Sequence, residues 1–341
     1  MKQRDNTIDI LRGLAIFTMV AANMSAHTYQ EPHPYWFRIY GSFAAPTFVF
    51  LAGLMVSFTT FYKTYPLSYF LKRGIAIICI AACIDMLCWG AVPFVTFDVL
   101  YVIGLSLPLA KLFSDLNRII QVIVLVALFA IAPIMQAKFG YIDAPIEPAL
   151  KEFPEKGYAG AIVWKQYLVD GWFPIFPWLG VSLLGTFIGR IRCALPIGKA
   201  NGIFSISGML LMVAGIVSWV VVDPHLMERE GYSELFYPPT LMYFAAFLGG
   251  VLLILGTLYR VRDNKLLWFL SVYGKSSLLM YILHTTFNVY VFNVFFETYT
   301  LPKFAALVML HLFVLWLIAF GVQKLKKDKK LPMLASIILG G

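Results

Sequence analysis

Three titratable residues lie deep inside apolar stretches of this sequence. Asp85, His284 and His311 each stand roughly seven to eleven residues into their own stretch, which puts them at similar depth at a rise of about 1.5 Å per residue. An ionisable group at the centre of a bilayer costs roughly 2.5–3.5 kcal/mol and usually faces other helices, where it moves protons or binds substrate. The pattern predicts a polar centre to a helix bundle, with Asn288 one turn beyond His284. The alternative is isolated residues, each satisfied by a backbone or hydroxyl group.

The first apolar stretch opens with an acid and a base. Asp9 and Arg12 are three residues apart, so on a helix they share a face and can pair. The pattern fits an ion pair at a helix end, and it equally fits an arginine that meets an anionic ligand. Asn23 follows near the other end of the same helix, where a buried amide needs hydrogen-bond partners.

A loop restricted by two prolines follows this helix and carries His33 and Trp36. A loop histidine is usually just solvated, but this loop can hold His33 over the mouth of the bundle. The segment 172–180, which contains Trp178, is aromatic and broken by prolines, as is typical of a membrane interface. Small residues within 43–53 allow two helices to approach closely.

Composition decides the class of protein that positions these residues. Hydrophobic residues make up 60% of the 341 and charged residues 13%, whereas a soluble domain averages about 45–50% and about 25%. Only a bilayer solvates that much apolar surface. The net charge of +9 comes from basic residues between apolar runs, which indicates membrane topology and not nucleic-acid binding. The four cysteines lack the spacing of a metal site with histidines, so we expect no metal.

The positioning elements are predicted to be ten transmembrane helices. A span takes about 20 mostly apolar residues, and ten stretches qualify: 8–26, 42–62, 74–93, 96–114, 119–136, 172–190, 203–222, 239–259, 276–296 and 304–323. The run 266–274 is too short to cross. Charges at Asp9 and Arg12 interrupt what would be the apolar part of a signal peptide, so we expect the first helix to remain uncleaved.

The basic residues predict that both termini lie in the cytoplasm. With the N-terminus inside, the cytoplasmic segments carry 18 of the 27 Lys and Arg and the outside loops carry 7, as the positive-inside rule requires. The predicted fold is therefore an all-α polytopic transmembrane bundle, N-in/C-in. Residues 1–330 form one domain and 331–341 a short apolar tail. Two outside loops, 137–171 and 223–238, are long, and the first is either functional or carries short helices of its own.

Five short segments, taken in order, carry a resemblance to a known family. They are IDILRGLA (8–15) followed by Asn23, APTFVFLAG (45–53), DVLYVIGLS (98–106), FPWLGVSLLG (176–185) with IGR (188–190), and GKSSLLMYILH (274–284). Together they resemble the catalytic domain of heparan-alpha-glucosaminide N-acetyltransferase over nearly the whole chain. Bacterial O-antigen acyltransferases have a similar Arg-Gly opening, but they have a histidine where Asn23 stands.

The resemblance implies acetyl transfer from acetyl-CoA, held on the cytoplasmic side, to a sugar amine on the other side. The family's active histidine lies in the first outside loop with a tryptophan three residues later, a spacing that His33 and Trp36 match. Acyl transfer from a thioester needs a base or nucleophile and stabilisation of the oxyanion. We expect His33 to act as base or transient acyl carrier and Asn23 to donate to the oxyanion.

The remaining site residues are predicted from position. Asp85, His284 and Asn288 would line the path from the cytoplasm. The phosphates of CoA would meet cations near the cytoplasmic face, and Trp178 joins Trp36 as an aromatic substrate contact. The predicted phosphate-binding set is Arg12 beside Asp9, with some of Lys72, Arg73, Arg190, Arg192 and Arg262.

Two alternatives stay open at this point. A transporter or flippase would use the same polar groups for a proton-coupled path without acyl chemistry. An acyltransferase acting on a hydroxyl, or on a lipid or cell-wall glycan, would differ only in its acceptor. The expected partners are the lipid bilayer and a glycan or glycolipid, with a homodimer left open, and the expected location is the bacterial inner (plasma) membrane.

Overall fold

The computed structural model describes residues 5–141, 146–152, 160–222, 234–326 and 332–339, and within them the regular structure is helical. Parts of the predicted loops 137–171 and 223–238, and of the tail 331–341, lie outside these residues. The helices are α1 (Asn6–Thr28), α2 (Tyr35–Gly41), α3 (Ala44–Tyr62), α4 (Leu67–Ile84), α5 (Val99–Asp115), α6 (Arg118–Phe139), α7 (Gly160–Lys165), α8 (Ile175–Ala194), α9 (Ile197–Val221), α10 (Leu241–Val261), α11 (Trp268–Gly274), α12 (Ser277–Phe287), α13 (Asn293–Phe295), α14 (Leu301–Lys326) and α15 (Met333–Leu339).

The chain is a multi-pass membrane protein. Seven described helical segments are long and apolar enough to cross a bilayer: Asn6–Thr28, Tyr35–Tyr62, Arg118–Phe139, Ile197–Val221, Leu241–Val261, Ser277–Phe295 and Leu301–Lys326. The pair Val163–Asp170 and Ile175–Ala194, bent by 50°, makes eight if it crosses as one span. The predicted stretches 74–93 and 96–114 are helical over much of their length but fall outside this set. The prediction of a membrane-spanning all-α fold is confirmed to this extent.

Helix α1 runs through the interior of the bundle and packs closely on α11. A Cβ on Gly13 would lie 2.1 Å from the carbonyl oxygen of Leu270, and one on Gly274 would lie 1.9 Å from that of Asp9. Only glycine allows the two backbones this approach. The run 266–274, predicted to be too short to cross, is thus a short helix held against the first half of α1.

The close approach predicted for 43–53 is confirmed between α3 and α8. A Cβ on Gly53 would lie 1.7 Å from the carbonyl oxygen of Ser182, and one on Gly185 would lie 1.9 Å from that of Phe50. The hydroxyl of Ser57 also donates to the carbonyl of Thr186 at 2.5 Å. Small residues and interhelical hydrogen bonds hold helices together where lipid offers no hydrophobic driving force.

Three helices change to a π-helical turn at a buried polar residue. These turns are Asp85–Trp89 after α4, Gln166–Asp170 after α7, and Asn288–Phe292 after α12. The first residue of each turn is buried. Single π turns occur often at functional sites because they redirect side chains locally.

The predicted apolar tail includes a short helix that folds back onto the bundle. Ile337 in α15 is buried, and the carbonyl of Leu339 accepts a hydrogen bond from the Ser276 hydroxyl at 3.4 Å. The tail therefore packs at the start of α12.

The α3–α8 contact predicts a difference between two glycine substitutions. Gly53→Ala forces the backbones apart, so we expect it to lower the free energy of unfolding by about 1–3 kcal/mol. Gly202→Ala, on α9, meets nothing within 4 Å and should leave stability unchanged or slightly raised. Thermal unfolding in detergent measures both, and equal midpoints for the two variants would contradict the packing described.

Candidate active site

A cavity of about 1980 Å³ runs alongside α1. Residues of α1 line it from Asn6 to His27, with the N-cap Asp5 before them. The span from Asp5 to His27 is about 33 Å at 1.5 Å per residue, close to the hydrocarbon thickness of about 30 Å. The cavity therefore extends over the depth of a membrane.

The two ends of the cavity differ in charge. The end where α1 begins, here called the basic end, has three lining carboxylates, Asp5, Asp9 and Asp263, and all of the lining Lys and Arg: Arg12, Lys63, Arg73, Arg192, Arg262 and Lys275. At the other end, here called the acidic end, the described lining contains no Lys or Arg and four carboxylates: Asp85, Asp98, Glu147 and Glu234. An anionic group is favoured at the first end and a cationic group at the second.

Asn23 lines the cavity and is hydrogen-bonded to His284. The two side-chain nitrogens, Nδ2 and Nε2, are 2.8 Å apart, and His284 is fully buried. Nδ1 of His284 lies 3.1 Å from the carbonyl of Met280, so Nδ1 carries the proton and donates it there. Nε2 is then the acceptor for the Asn23 amide, and this fixes which way the amide faces.

Two tyrosine–aspartate pairs lie beside this contact. The hydroxyl of Tyr281 donates to Asp98 at 2.6 Å, and that of Tyr101 donates to Asp85 at 2.5 Å. The ring of Tyr281 meets the ring of His284 edge-on, with centroids 5.3 Å apart. Asp85 and His284, predicted to share a polar centre, each have a hydrogen-bond partner: the hydroxyl of Tyr101 for Asp85 and the side chain of Asn23 for His284.

Ion pairs join the helices at the basic end. The predicted pair of Asp9 and Arg12 forms, at 3.6 Å. Arg192 is buried and donates to Asp5 at 2.8 Å and to Asn201 at 2.9 Å. These contacts join the starts of α1 and α9 to the end of α8.

Aromatic rings stand beside the cations of the basic end. Tyr65 and Tyr69 stack with centroids 4.1 Å apart, and Arg73 donates to the Tyr69 hydroxyl at 3.0 Å. The guanidinium of Arg262 lies 3.8 Å from the centre of the Tyr259 ring. Flat apolar faces and positive charge are the features that bind nucleotides.

His33 and Trp36 lie apart from the cavity. The ring of His33 stacks on Tyr29 with centroids 4.9 Å apart and meets Phe37 edge-on, and Trp36 is 55% exposed. Pro34 is the N-cap of α2, and α2 packs on α1. The loop that carries His33 is therefore held against the end of α1. The ring of His33 is thus held against Tyr29, and its position over the bundle mouth stays a prediction.

Other predicted site residues also lie away from the cavity lining. Trp178 is fully buried in the core among Phe173, Phe236 and Phe244. Lys72 is exposed. Arg190 is exposed and donates to the carbonyl of Ser114. Of the predicted cations, Arg12, Arg73, Arg192 and Arg262 line the cavity, whereas Lys72 and Arg190 do not.

Asn288 and His311 are buried near His284 without lining the cavity. His311 packs between the rings of Phe287 and Phe292. The described residues offer no hydrogen-bond partner for the Asn288 side-chain oxygen or for Nε2 of His311. Both extend the polar region behind His284.

Sequence reasoning did not single out Asp98 and Tyr281 as site residues. Both stand inside segments quoted for the resemblance, and their roles depend on a contact across 183 positions of sequence. Asp98 begins a helix, where aspartate is a common N-cap. Tyr281 lies three residues before His284 and so on the same helix face, which was the signal in the sequence that could have identified it.

Glu234 contributes a partly buried carboxylate at the acidic end, just before α10. Burial raises its pKa above the ordinary value, and the charge of Arg38 acts in the opposite direction. Among the described residues no group of three or more His, Cys, Asp or Glu is arranged to hold a metal.

One family matches the chain over more than half its length. The family model described as "Heparan-alpha-glucosaminide N-acetyltransferase, catalytic" matches residues 4–204. A comparison with curated proteins finds no match.

The buried position of Arg192 predicts a structural cost for its removal. Arg192→Gln leaves Asp5 and Asn201 without their charged donor, so we expect the free energy of unfolding to fall by about 2 kcal/mol. Lys199→Gln removes a nearby exposed cation and should change little. Thermal midpoints in detergent measure the difference, and an unchanged midpoint for Arg192→Gln would show that the cluster does not stabilise the fold.

Proposed function

Because the chain belongs to the heparan-alpha-glucosaminide N-acetyltransferase catalytic family, we propose that it moves an acetyl group across the membrane, from acetyl-CoA in the cytoplasm to a sugar on the opposite side. The protein is a membrane acyltransferase that uses acetyl-CoA. The proposal adds the sidedness, the acceptor and the residues that act.

The observation that carries the proposal is a single cavity with a basic and an acidic end. Its lining reaches both ends of α1, so a donor and an acceptor entering from opposite sides would meet inside it. Asn23 and the Asp98–Tyr281 pair lie toward the acidic end, beyond the middle of α1. Neither substrate then has to cross the bilayer for transfer to occur.

The basic end suits the nucleotide part of acetyl-CoA. Arg12, Arg73 and Arg262 supply positive charge for phosphates, and the rings of Tyr69 and Tyr259 supply flat faces for adenine. Arg12 and Asn23 are eleven residues apart, about 16 Å along the helix. An extended pantetheine arm spans such a distance and would bring the thioester to Asn23.

The acidic end suits a sugar that carries an amine. Trp89, Trp172 and Tyr237 line it together with carboxylates, and the indole N–H of Trp172 donates to Glu147. Aromatic faces pack on sugar rings, and carboxylates favour a protonated amine over a neutral hydroxyl. The charge therefore supports N-acetylation over O-acetylation.

Asn23 is the proposed donor to the oxyanion that forms when the thioester carbonyl is attacked. Its amide has two N–H groups, and the His284 contact uses one. The second is free to donate to the carbonyl oxygen of an acetyl group in the cavity. His284 is then a positioning residue, because its Nε2 lone pair holds the NH₂ group in place.

His33 remains the second candidate for chemistry, as base or transient acyl carrier. It lies beyond the outer end of α1, against Tyr29. If the loop moves when the acceptor binds, His33 reaches the mouth of the acidic end. A comparison of variants separates the two assignments.

Variants of Asn23 and His284 test the assignment of Asn23 as the oxyanion donor. Asn23→Ala removes a preorganised oxyanion donor, so we expect kcat to fall by roughly 100- to 1,000-fold with the Kd for acetyl-CoA little changed. His284→Ala should lower kcat in the same direction by releasing the amide. The measurement is release of CoA and transfer of labelled acetyl by purified protein, with thermal midpoints as a folding control.

His33→Ala is the matched comparison in the same assays. Full activity of the His33→Ala variant would exclude His33 as the base. If His33→Ala loses activity while Asn23→Ala remains fully active, the assignment of Asn23 as the oxyanion donor is wrong. Mass spectrometry of glycans and lipids from cells with and without the gene identifies the acceptor by a missing acetyl group. Substrate flux by a protein without acetyl-CoA affinity would support a transporter instead.

The sidedness rests on the basic residues and on their place in the fold. We propose ten spans with both termini in the cytoplasm, counting α4 with its π turn, α5, and the bent pair as spans. Lys63, Arg192, Arg262 and Lys275 then share the cytoplasmic end with the start of α1, as the positive-inside rule favours.

Labelling from one side of the membrane tests this topology. In a chain whose four cysteines are replaced by serine, Glu31→Cys and Lys265→Cys each add one exposed thiol. On intact cells, a membrane-impermeant maleimide should label the first and should label the second only after permeabilisation. The reverse pattern would invert the topology. Labelling of both thiols on intact cells would show that the number of spans proposed between residues 31 and 265 is wrong.

A further inference from the structure

Four side chains, from α1, α12 and the residue just before α5, form a continuous chain of contacts at the cavity wall. Asn23 of α1 bonds His284 of α12 at 2.8 Å, and the His284 ring meets the Tyr281 ring. Tyr281 in turn donates to Asp98, before α5, at 2.6 Å. Asn23, Tyr281 and Asp98 all line the cavity.

Asp98 is held more rigidly than a surface carboxylate. Its Oδ1 accepts the backbone N–H of Val99 at 2.6 Å, and its Oδ2 accepts the Tyr281 hydroxyl. Each carboxylate oxygen accepts two hydrogen bonds, so each has one lone pair left after these contacts. A carboxylate oriented by two donors and facing a substrate cavity has the geometry of a general base.

We propose that Asp98 is the base that deprotonates the acceptor amine, with Tyr281 positioning its carboxylate. This inference rests on the proposed acyl transfer. The sugar ammonium gives one proton to Asp98, and the freed nitrogen lone pair attacks the thioester carbonyl carbon. The new N–C bond forms, the C–S bond breaks, and the sulfur leaves as the CoA thiolate. The second amine proton passes to the thiolate, and Asp98 returns its proton to solvent through the acidic end.

Tyr281 couples the base to the oxyanion donor. It lies three residues before His284, so both side chains project from the same side of α12. Tyr281 holds the carboxylate of Asp98 in place, and His284 holds the amide of Asn23. Asp85 is the neighbouring carboxylate, but its hydrogen bond leads to Tyr101 of α5. Asp98 is therefore the carboxylate that α12 joins to Asn23.

The experiment compares an acceptor that needs a base with one that does not. Glucosamine is the first probe, because its amine is largely protonated near neutral pH, and hydroxylamine is the second, because it is largely unprotonated. Release of the CoA thiol from acetyl-CoA is measured with each probe. With glucosamine, Asp98→Asn should lower kcat roughly 100-fold or more, while the KM for acetyl-CoA stays within about threefold. With hydroxylamine the same variant should retain most of its activity.

Two further variants separate catalysis from folding. Tyr281→Phe keeps the ring and removes the hydroxyl, so its loss should also be larger with glucosamine than with hydroxylamine. Asp115→Asn, at the exposed far end of α5, should match the unsubstituted protein with both probes. Asn is a good N-cap, so α5 should keep its start in Asp98→Asn, and thermal midpoints check this.

The outcomes distinguish the inference from the function on which it rests. If the unsubstituted protein neither binds acetyl-CoA nor releases CoA with either probe, the proposed function fails and this inference fails with it. If that protein is active and Asp98→Asn is equally active with glucosamine, only the assignment of Asp98 fails. Equal losses with both probes would make Asp98 a structural cap and overturn its role as a base.

Discussion

A polar side chain inside a membrane protein needs a hydrogen-bond or ion-pair partner, and for one residue of α1 that partner lies on a distant helix. Helix α1, which is long and largely buried, carries Asp9, Arg12 and Asn23. Asp9 and Arg12 pair with each other, but Asn23 depends on His284, which is 261 positions away. The hydrogen bond between Asn23 and His284 therefore joins α12 to α1. Gly13 and Gly274 allow α11, the short helix just before α12, to lie directly on the α1 backbone.

The same arrangement separates charge along the cavity. Helix starts and ends that carry Arg192, Arg262 and Lys275 gather around the beginning of α1, whereas Asp85 and Asp98 lie toward its far end. A nucleotide and a protonated amine, the two substrate groups proposed above, would each be attracted to the opposite sign of charge and therefore to different ends. Under the proposed function, acetyl transfer would take place where the two ends meet, inside the helix bundle. In such a region a few oriented donors act more strongly than they would in solution.

Interruptions in the helices supply the remaining geometry. The π turns that begin at Asp85 and Asn288 lie where α4 and α12 pass the polar region, and a short break separates α11 from α12. A regular helix repeats every 3.6 residues and would point these side chains elsewhere. Local departures from regular geometry thus allow apolar spans to present several polar groups to one cavity.

Composition and pattern alone determined the class of the protein, because 60% hydrophobic residues can be solvated only by lipid. Sequence order also indicated the family, the pairing of Asp9 with Arg12, and the close approach near Gly53, since each depends on residues that are near in sequence or on motif spacing. Tertiary structure alone decided that Asn23 meets His284, that Asp98 meets Tyr281, and that Arg192 joins Asp5. It also decided that His33 packs on Tyr29 and that Trp178 lies in the apolar core. Periodicity gives the depth and face of a residue within its own helix, but the neighbour across the bundle depends on how distant helices pack, which no local pattern encodes.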